Sequence, residues 1–245
     1  MLASEMSRQG TMLFRYRSFI PVILISPLLL AWATADSTSQ TSPLALPWDC
    51  SCFLVSIAGL MLRVGTVGFV PAGTSGRNTA QQVANVLNTS GMNSTTRNPL
   101  YFGTFLMWLG MVMTTGNLLF LITFLLSFWL YDERIIAAEE EFLRGKFGAQ
   151  FQTWAAVTPA FVPRLNRWHS PALRFSIRTV LKREYCGLLG LTSAFPLIVL
   201  SEHLFLEGRF FLEPFWMCVL GSGSSCFIIL RSLKKHTILL SVANC

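Results

Sequence analysis

From residue 98 to residue 131 the chain carries no charge, a run of 34 positions between Arg97 and Asp132. One straight helix of that length would reach roughly 51 Å at 1.5 Å per residue. The hydrocarbon core of a bilayer is only about 30 Å thick. The run is therefore too long for one span, and Thr114-Thr115-Gly116-Asn117 sits at its centre as a turn. This predicts a tight hairpin of two short apolar helices, 99–114 and 117–131, with both ends on one side of a membrane.

The rest of the chain fits the same setting. Charged residues make up 13% and hydrophobic residues 52%, where a soluble domain carries about 25% charged. Disorder, a coiled coil and an ordinary soluble enzyme are excluded. Further apolar runs cover about 18–35, 48–70, 187–205 and 210–230. The first has two readings. Arg15 and Arg17 followed by an apolar stretch and Ala33-Thr34-Ala35 resemble a cleavable signal, and the run is also long enough to be retained as a span, the reading adopted here. The fold class expected is all-α: a polytopic integral membrane protein of about six transmembrane helices. Three regions follow: 1–98 with two spans and a loop, a core over 99–170, and 171–245 with an interfacial helix and two spans.

Basic residues orient the chain. With Arg8, Arg15 and Arg17 in the cytoplasm, six spans put 71–98, 132–186 and the basic tail on that same side. The block 132–186 holds nine Lys/Arg and six Asp/Glu. Asp132 to Phe147 reads as a helix stopping near Gly148, and Thr79 to Leu87 as a short one. A further helix is expected to start with Ser170 as cap and Pro171 at its first position. It would place Leu173, Ile177, Val180 and Leu181 on one face and Arg174, Arg178 and Lys182 on another, as in a helix lying on anionic headgroups. Arg63 inside the second run is either a functional intramembrane charge or an anchor snorkelling to the cytoplasmic surface. The net charge of +7 suits membrane surfaces, and no nucleic-acid partner is expected. Six scattered cysteines and three distant histidines offer no metal-ligand spacing, so no metal is expected.

Two clusters flank the hairpin: Arg97-Asn98-Pro99-Leu100-Tyr101-Phe102-Gly103 before it, and Arg134 to Glu140 after it. A hairpin returns its chain to the side it left, so the two should meet. Pro99 suits a helix start, and Gly103 admits a close neighbour to the backbone.

RNPLYFG, about 30 apolar residues, ERIIAAEEEFLRGKFGAQF and the closing TPAFVPR resemble the isoprenylcysteine carboxyl methyltransferase superfamily, which is itself similar to the phospholipid methyltransferases. The resemblance covers 97–164. The upstream GTSGRN…LNTSGM loop resembles a bacterial branch that includes enzymes methylating a lipid A phosphate, which implies a bacterial inner membrane. The resemblance implies an S-adenosylmethionine-dependent methyltransferase acting on a lipid or lipidated acceptor from the bilayer. Its donor pocket would lie on the cytoplasmic side between hairpin and following segment. It implies Arg97 as the catalytic residue, and Asn98, Pro99, Tyr101, Gly103, Arg134, Glu139 and Glu140 as donor-binding. Asn98 stands where the family has histidine, and the spacing from Arg134 to the glutamate pair varies within the family. Asparagine hydrogen-bonds but cannot take a proton at neutral pH. An acceptor that is already an anion, phosphate or carboxylate, needs no base, so an oxygen-anion acceptor is expected. The alternative is a non-enzymatic membrane protein, a transporter or assembly factor with a degenerate site.

Overall fold

The computed structural model describes residues 2–16, 45–70 and 84–237. The expected first span, 18–35, lies outside the described residues. The described chain is mainly helical, and an isolated bridge pairs Gly91 with His169. Its helices are α1 (Leu2–Tyr16), α2 (Ala45–Val67), α3 (Met92–Thr95), α4 (Pro99–Met113), α5 (Leu118–Phe147), α6 (Ala149–Val157), α7 (Ile177–Glu207) and α8 (Pro214–His236). Among them Leu46–Val67, Ile177–Phe205 and Pro214–His236 are long and apolar enough to cross a membrane, and Pro99–Met113 is a shorter apolar helix. This is an all-helical polytopic membrane protein.

The hairpin is α4 and α5, and its turn falls where the charge-free run is interrupted. Gly116 takes φ 60°, a conformation costly for any residue with a Cβ. Inside a bilayer the turn must satisfy its own polar groups. Thr114 and Thr115 donate their hydroxyls to Met111 O and Val112 O. Asn117 Oδ1 accepts from Phe120 N at 3.0 Å, and Trp48 Nε1 donates to Met113 O at 3.1 Å. The second arm does not stop at the end of the apolar run. It continues as one helix through Asp132 to Phe147, where Gly148 ends it.

Helix α2 lies against α4 at very close range. A Cβ on Gly103 would stand 2.6 Å from Arg63 Cγ and 2.8 Å from Gly59 O. The neighbour that Gly103 admits is thus α2, and small residues on both helices let the backbones meet. Ser56 Oγ donates to Met107 O at 2.7 Å across the same seam. The core joins this pair to the C-terminal helices through Cys52, Leu60, Met111, Leu191, Phe195 and Trp216. α1 packs along the charged extension of α5: Gly10 rests on the Arg134 carbonyl and Ala138, and Tyr131 donates its hydroxyl to Leu13 O.

Three local expectations change. The helix after Pro171 starts at Ile177 with Ser176 as its cap, not at Ser170. The segment before it is held extended by distant partners. His169 pairs with Gly91, Ala172 N reaches Ser90 Oγ, and Ser176 N donates to Gly68 O at 2.8 Å. Leu173 and Arg174 therefore precede the helix, and the supposed interfacial helix is the first part of α7, continuous with the span that follows. The short helix expected over Thr79 to Leu87 lies partly outside the described residues, and residues 84–87 are not helical. Arg63 is paired within the protein. Its guanidinium makes a two-pronged pair with Glu184 of α7, at 3.0 Å from Nε and 2.9 Å from Nη2.

Candidate active site

The antiparallel hairpin sets the start of α4 beside the extension of α5. Pro99 occupies the first turn of α4, where a missing N–H costs nothing. Three contacts cross between the motifs. Tyr101 donates its hydroxyl to Glu139 Oε1 at 2.8 Å. Arg97 Nε stands 2.9 Å from Glu140 Oε1. That contact is one of charge, because the Nε–H has no aligned acceptor. Asn98 Nδ2 lies 3.5 Å from the same Glu140 oxygen and donates to Ala160 O at 2.9 Å.

Segment 155–164 forms the third wall, which explains why TPAFVPR belongs with the other motifs. Arg97 Nη1 donates to Ala155 O at 3.0 Å and Arg97 N to Pro159 O at 2.9 Å. Thr96 Oγ1 donates to Phe161 O at 2.9 Å, and Arg164 N to Thr95 O. These bonds seat Phe161 edge-on to Phe102, Phe105 and Trp129, with ring centroids 5.5, 5.8 and 5.9 Å apart. Phe105 in turn meets Phe124 and Phe128 of α5. An aromatic layer thus closes the apolar side of the polar cluster.

Asp132 lies between the two. At 3.6 residues per turn, Glu139, Asp132, Trp129 and Glu140 share an arc of roughly 100° on α5. Asp132 is only 5% exposed, and its Oδ2 has no hydrogen-bond partner. Burial, reinforced by the nearby Glu139 charge, pushes its carboxyl up to about 8. Burial of this kind favours the neutral form of the carboxyl. Sequence reasoning passed over it, because a lone aspartate at the end of an apolar run looks like an ordinary boundary charge.

Of the residues singled out from sequence, Arg97, Asn98, Tyr101, Glu139 and Glu140 come together, with Pro99 supporting them. Gly103 packs helices, one turn further along α4. Arg134 faces away: its Nε donates to Gln9 Oε1 of α1 at 2.9 Å.

A site of this layout, in a helical membrane protein, is what the comparisons bear on. Residues 72–150 match the phospholipid methyltransferase family. The matched stretch includes the hairpin and both of its flanking motifs, in accord with the resemblance read from RNPLYFG and ERIIAAEEEFL. Methyltransferases of that family generally use S-adenosylmethionine. The chain is also 27% identical over 210 residues to the nickel-cobalt-cadmium resistance protein NccN of Alcaligenes xylosoxydans xylosoxydans, covering 82% of this chain and 92% of that protein. It is 35% identical over 124 residues to the cobalt-zinc-cadmium resistance protein CzcN of Cupriavidus metallidurans, covering 49% of this chain and 55% of that one. No solved structure matches.

Proposed function

We propose that this protein transfers a methyl group from S-adenosylmethionine, entering from the cytoplasm, to a lipid or lipidated acceptor that arrives laterally in a bacterial inner membrane. The observation that carries this reading is the meeting of Arg97 and Asn98 with Glu140, and of Tyr101 with Glu139, at one end of an apolar hairpin. The donor carries two cationic groups and one carboxylate. Glutamates suit its amino group through charge-assisted hydrogen bonds, and the guanidinium of Arg97 suits an anionic group. Methyl transfer is an in-line displacement, so holding donor and acceptor in line supplies much of the rate.

The acceptor we favour is an anionic oxygen, phosphate or carboxylate. Asn98 removes no proton, and an anion needs none removed. The aromatic layer of Phe105, Phe124, Phe128 and Phe161 gives an acyl or prenyl chain an apolar approach to the polar cluster.

Calorimetry on the purified protein tests the donor. Glu140→Gln is expected to weaken S-adenosylmethionine binding by about 1.5–3 kcal/mol, the cost of losing a charged partner. Unchanged affinity in both Glu139→Gln and Glu140→Gln sinks the donor assignment. The names of the two relatives bring in metal resistance, and a second reading is a non-enzymatic part in it. A wild-type protein that binds no donor and labels no lipid selects it.

A further inference from the structure

We propose that Asp132 is the group that recognises the sulfonium charge of the methyl donor, so that the site distinguishes the cationic donor from the neutral thioether left after transfer. This rests on the donor assignment above and adds a residue that the resemblance does not supply.

The argument begins from an isolated carboxyl. Asp132 is 5% exposed and its Oδ2 meets no donor. Buried carboxyl oxygens are almost always hydrogen-bonded, and an exception calls for a cause. Nor is its place arbitrary. It sits on the α5 arc between Glu139, which Tyr101 of α4 engages, and Trp129, on which Phe161 packs. Glu140 closes the same arc, paired to Arg97 from the segment before α4. Among the cations whose side chains are described, Arg134 is turned to Gln9 of α1, and Arg8 of α1 pairs with Glu5 out in solvent. Among the described residues the carboxyl therefore has a negative neighbour in Glu139 and no assigned counter-charge.

The donor's two cations differ in what they require. An ammonium brings three N–H donors and suits a carboxylate in a hydrogen-bonding setting, as Glu139 and Glu140 are. A sulfonium has no N–H and can be held only by charge. A buried carboxyl whose Oδ2 meets no donor among the described residues, next along the helix to an aromatic layer, matches that requirement. It also lies where the apolar run ends, so a methyl group held there faces the side from which a lipid acceptor comes.

A proton balance follows. In the empty protein at pH 7 Asp132 keeps its proton, because burial and Glu139 disfavour the charged form. A cation beside it favours ionisation, and the proton leaves to water. When the sulfur–methyl bond breaks, its electron pair stays on sulfur and the cation is gone. Asp132 then takes a proton back from solvent, and the product loses a charge partner that the donor had.

The test is calorimetry of the full-length protein in lipid nanodiscs with S-adenosylmethionine and with S-adenosylhomocysteine. Each is run in two buffers of different ionisation enthalpy, from pH 6 to pH 8.5. In the wild type, donor binding is expected to release about one proton more at pH 7 than in Asp132→Asn, from linkage. The donor-to-product affinity ratio should rise with pH over that range. In Asp132→Asn the ratio should fall roughly tenfold or more, the scale of a lost charged partner, with product binding retained as the sign of a folded site. A variant that keeps both the wild-type ratio and the proton release overturns the proposal while leaving the donor assignment intact. If the variant fails to fold, the wild type alone decides: a ratio independent of pH, with equal proton release for donor and product, overturns it. Absence of donor binding to the wild type removes the donor assignment and this proposal together.

Discussion

Arg63 and Glu184 meet as a two-pronged ion pair across 121 positions of sequence, joining α2 to α7. Glu184 is 5% exposed. The remaining arm of the guanidinium, Nη1, donates to Thr104 Oγ1 at 2.7 Å and reaches Leu100 O at 3.4 Å. The pair therefore braces the first turns of α4, directly beyond Asn98 and Tyr101. Breaking it by Arg63→Met leaves a buried carboxylate without its partner, a change that costs about 3–5 kcal/mol in comparable pairs. Thermal unfolding in detergent should show that loss. The double variant Arg63→Met with Glu184→Leu should recover most of it, because the penalty comes from the stranded charge.

Gly103 is expected to be intolerant where Gly145 is not. A Cβ at Gly103 meets Arg63 Cγ at 2.6 Å and the Gly59 carbonyl at 2.8 Å, while one at Gly145 meets nothing within 4 Å. Backbone cannot yield as a flexible side chain does, so Gly103→Ala should cost about 1–3 kcal/mol, the range for overpacking. Gly145→Ala should gain about 0.5–1 kcal/mol, because alanine is the better helix former. Paired melting curves check both, and equal behaviour would refute the close helix contact.

Arg97→Lys should lower methyl transfer about tenfold or more, the scale of one lost charged contact. An ammonium cannot stand beside Glu140 and donate to Ala155 O in the way the guanidinium does. Asn98→His should be tolerated, since an imidazole N–H replaces the amide donor to Ala160 O. The measurement is transfer from labelled donor into a total lipid extract. Full activity in Arg97→Lys would remove Arg97 from the site.

Asp132 also makes a prediction about stability without ligand. Its folded carboxyl titrates near 8, above the unfolded value of about 3.9. The folded state therefore binds the proton more tightly, and the stabilisation this brings is full below about pH 3.9 and is lost as pH rises from there to about 8. Asp132→Asn stays neutral, so it should melt above the wild type at pH 9, by about 2–4 °C for each kcal/mol. The gap should narrow steadily below pH 8 and close toward about pH 4. A gap that widens on acidification would show the carboxyl to be ionised in the empty protein.

Much of this architecture is local information. The 34 uncharged residues, too long for one span and broken at Thr114 to Asn117, determine the hairpin by length and turn chemistry alone. A hairpin returns to its starting side, so the meeting of RNPLYFG with the glutamate pair was legible from that geometry. The stop at Gly148 was likewise legible. What only the tertiary structure decided depends on partners far away in the chain. The start of α7 at Ile177 instead of Pro171 is set by Gly68, Ser90 and Gly91, whose bonds outcompete a good local cap. Arg134 and Glu140 sit six residues apart on one helix, yet α1 draws the first outward and Arg97 the second inward. Glu184 reads as one more charge in a basic segment until it is found beneath Arg63. Asp132 reads as a boundary residue until it is found 5% exposed with its Oδ2 lacking a partner. Periodicity and turn chemistry act over a few residues, whereas the charge state of a buried group depends on everything packed against it, and that is known only once the chain has folded.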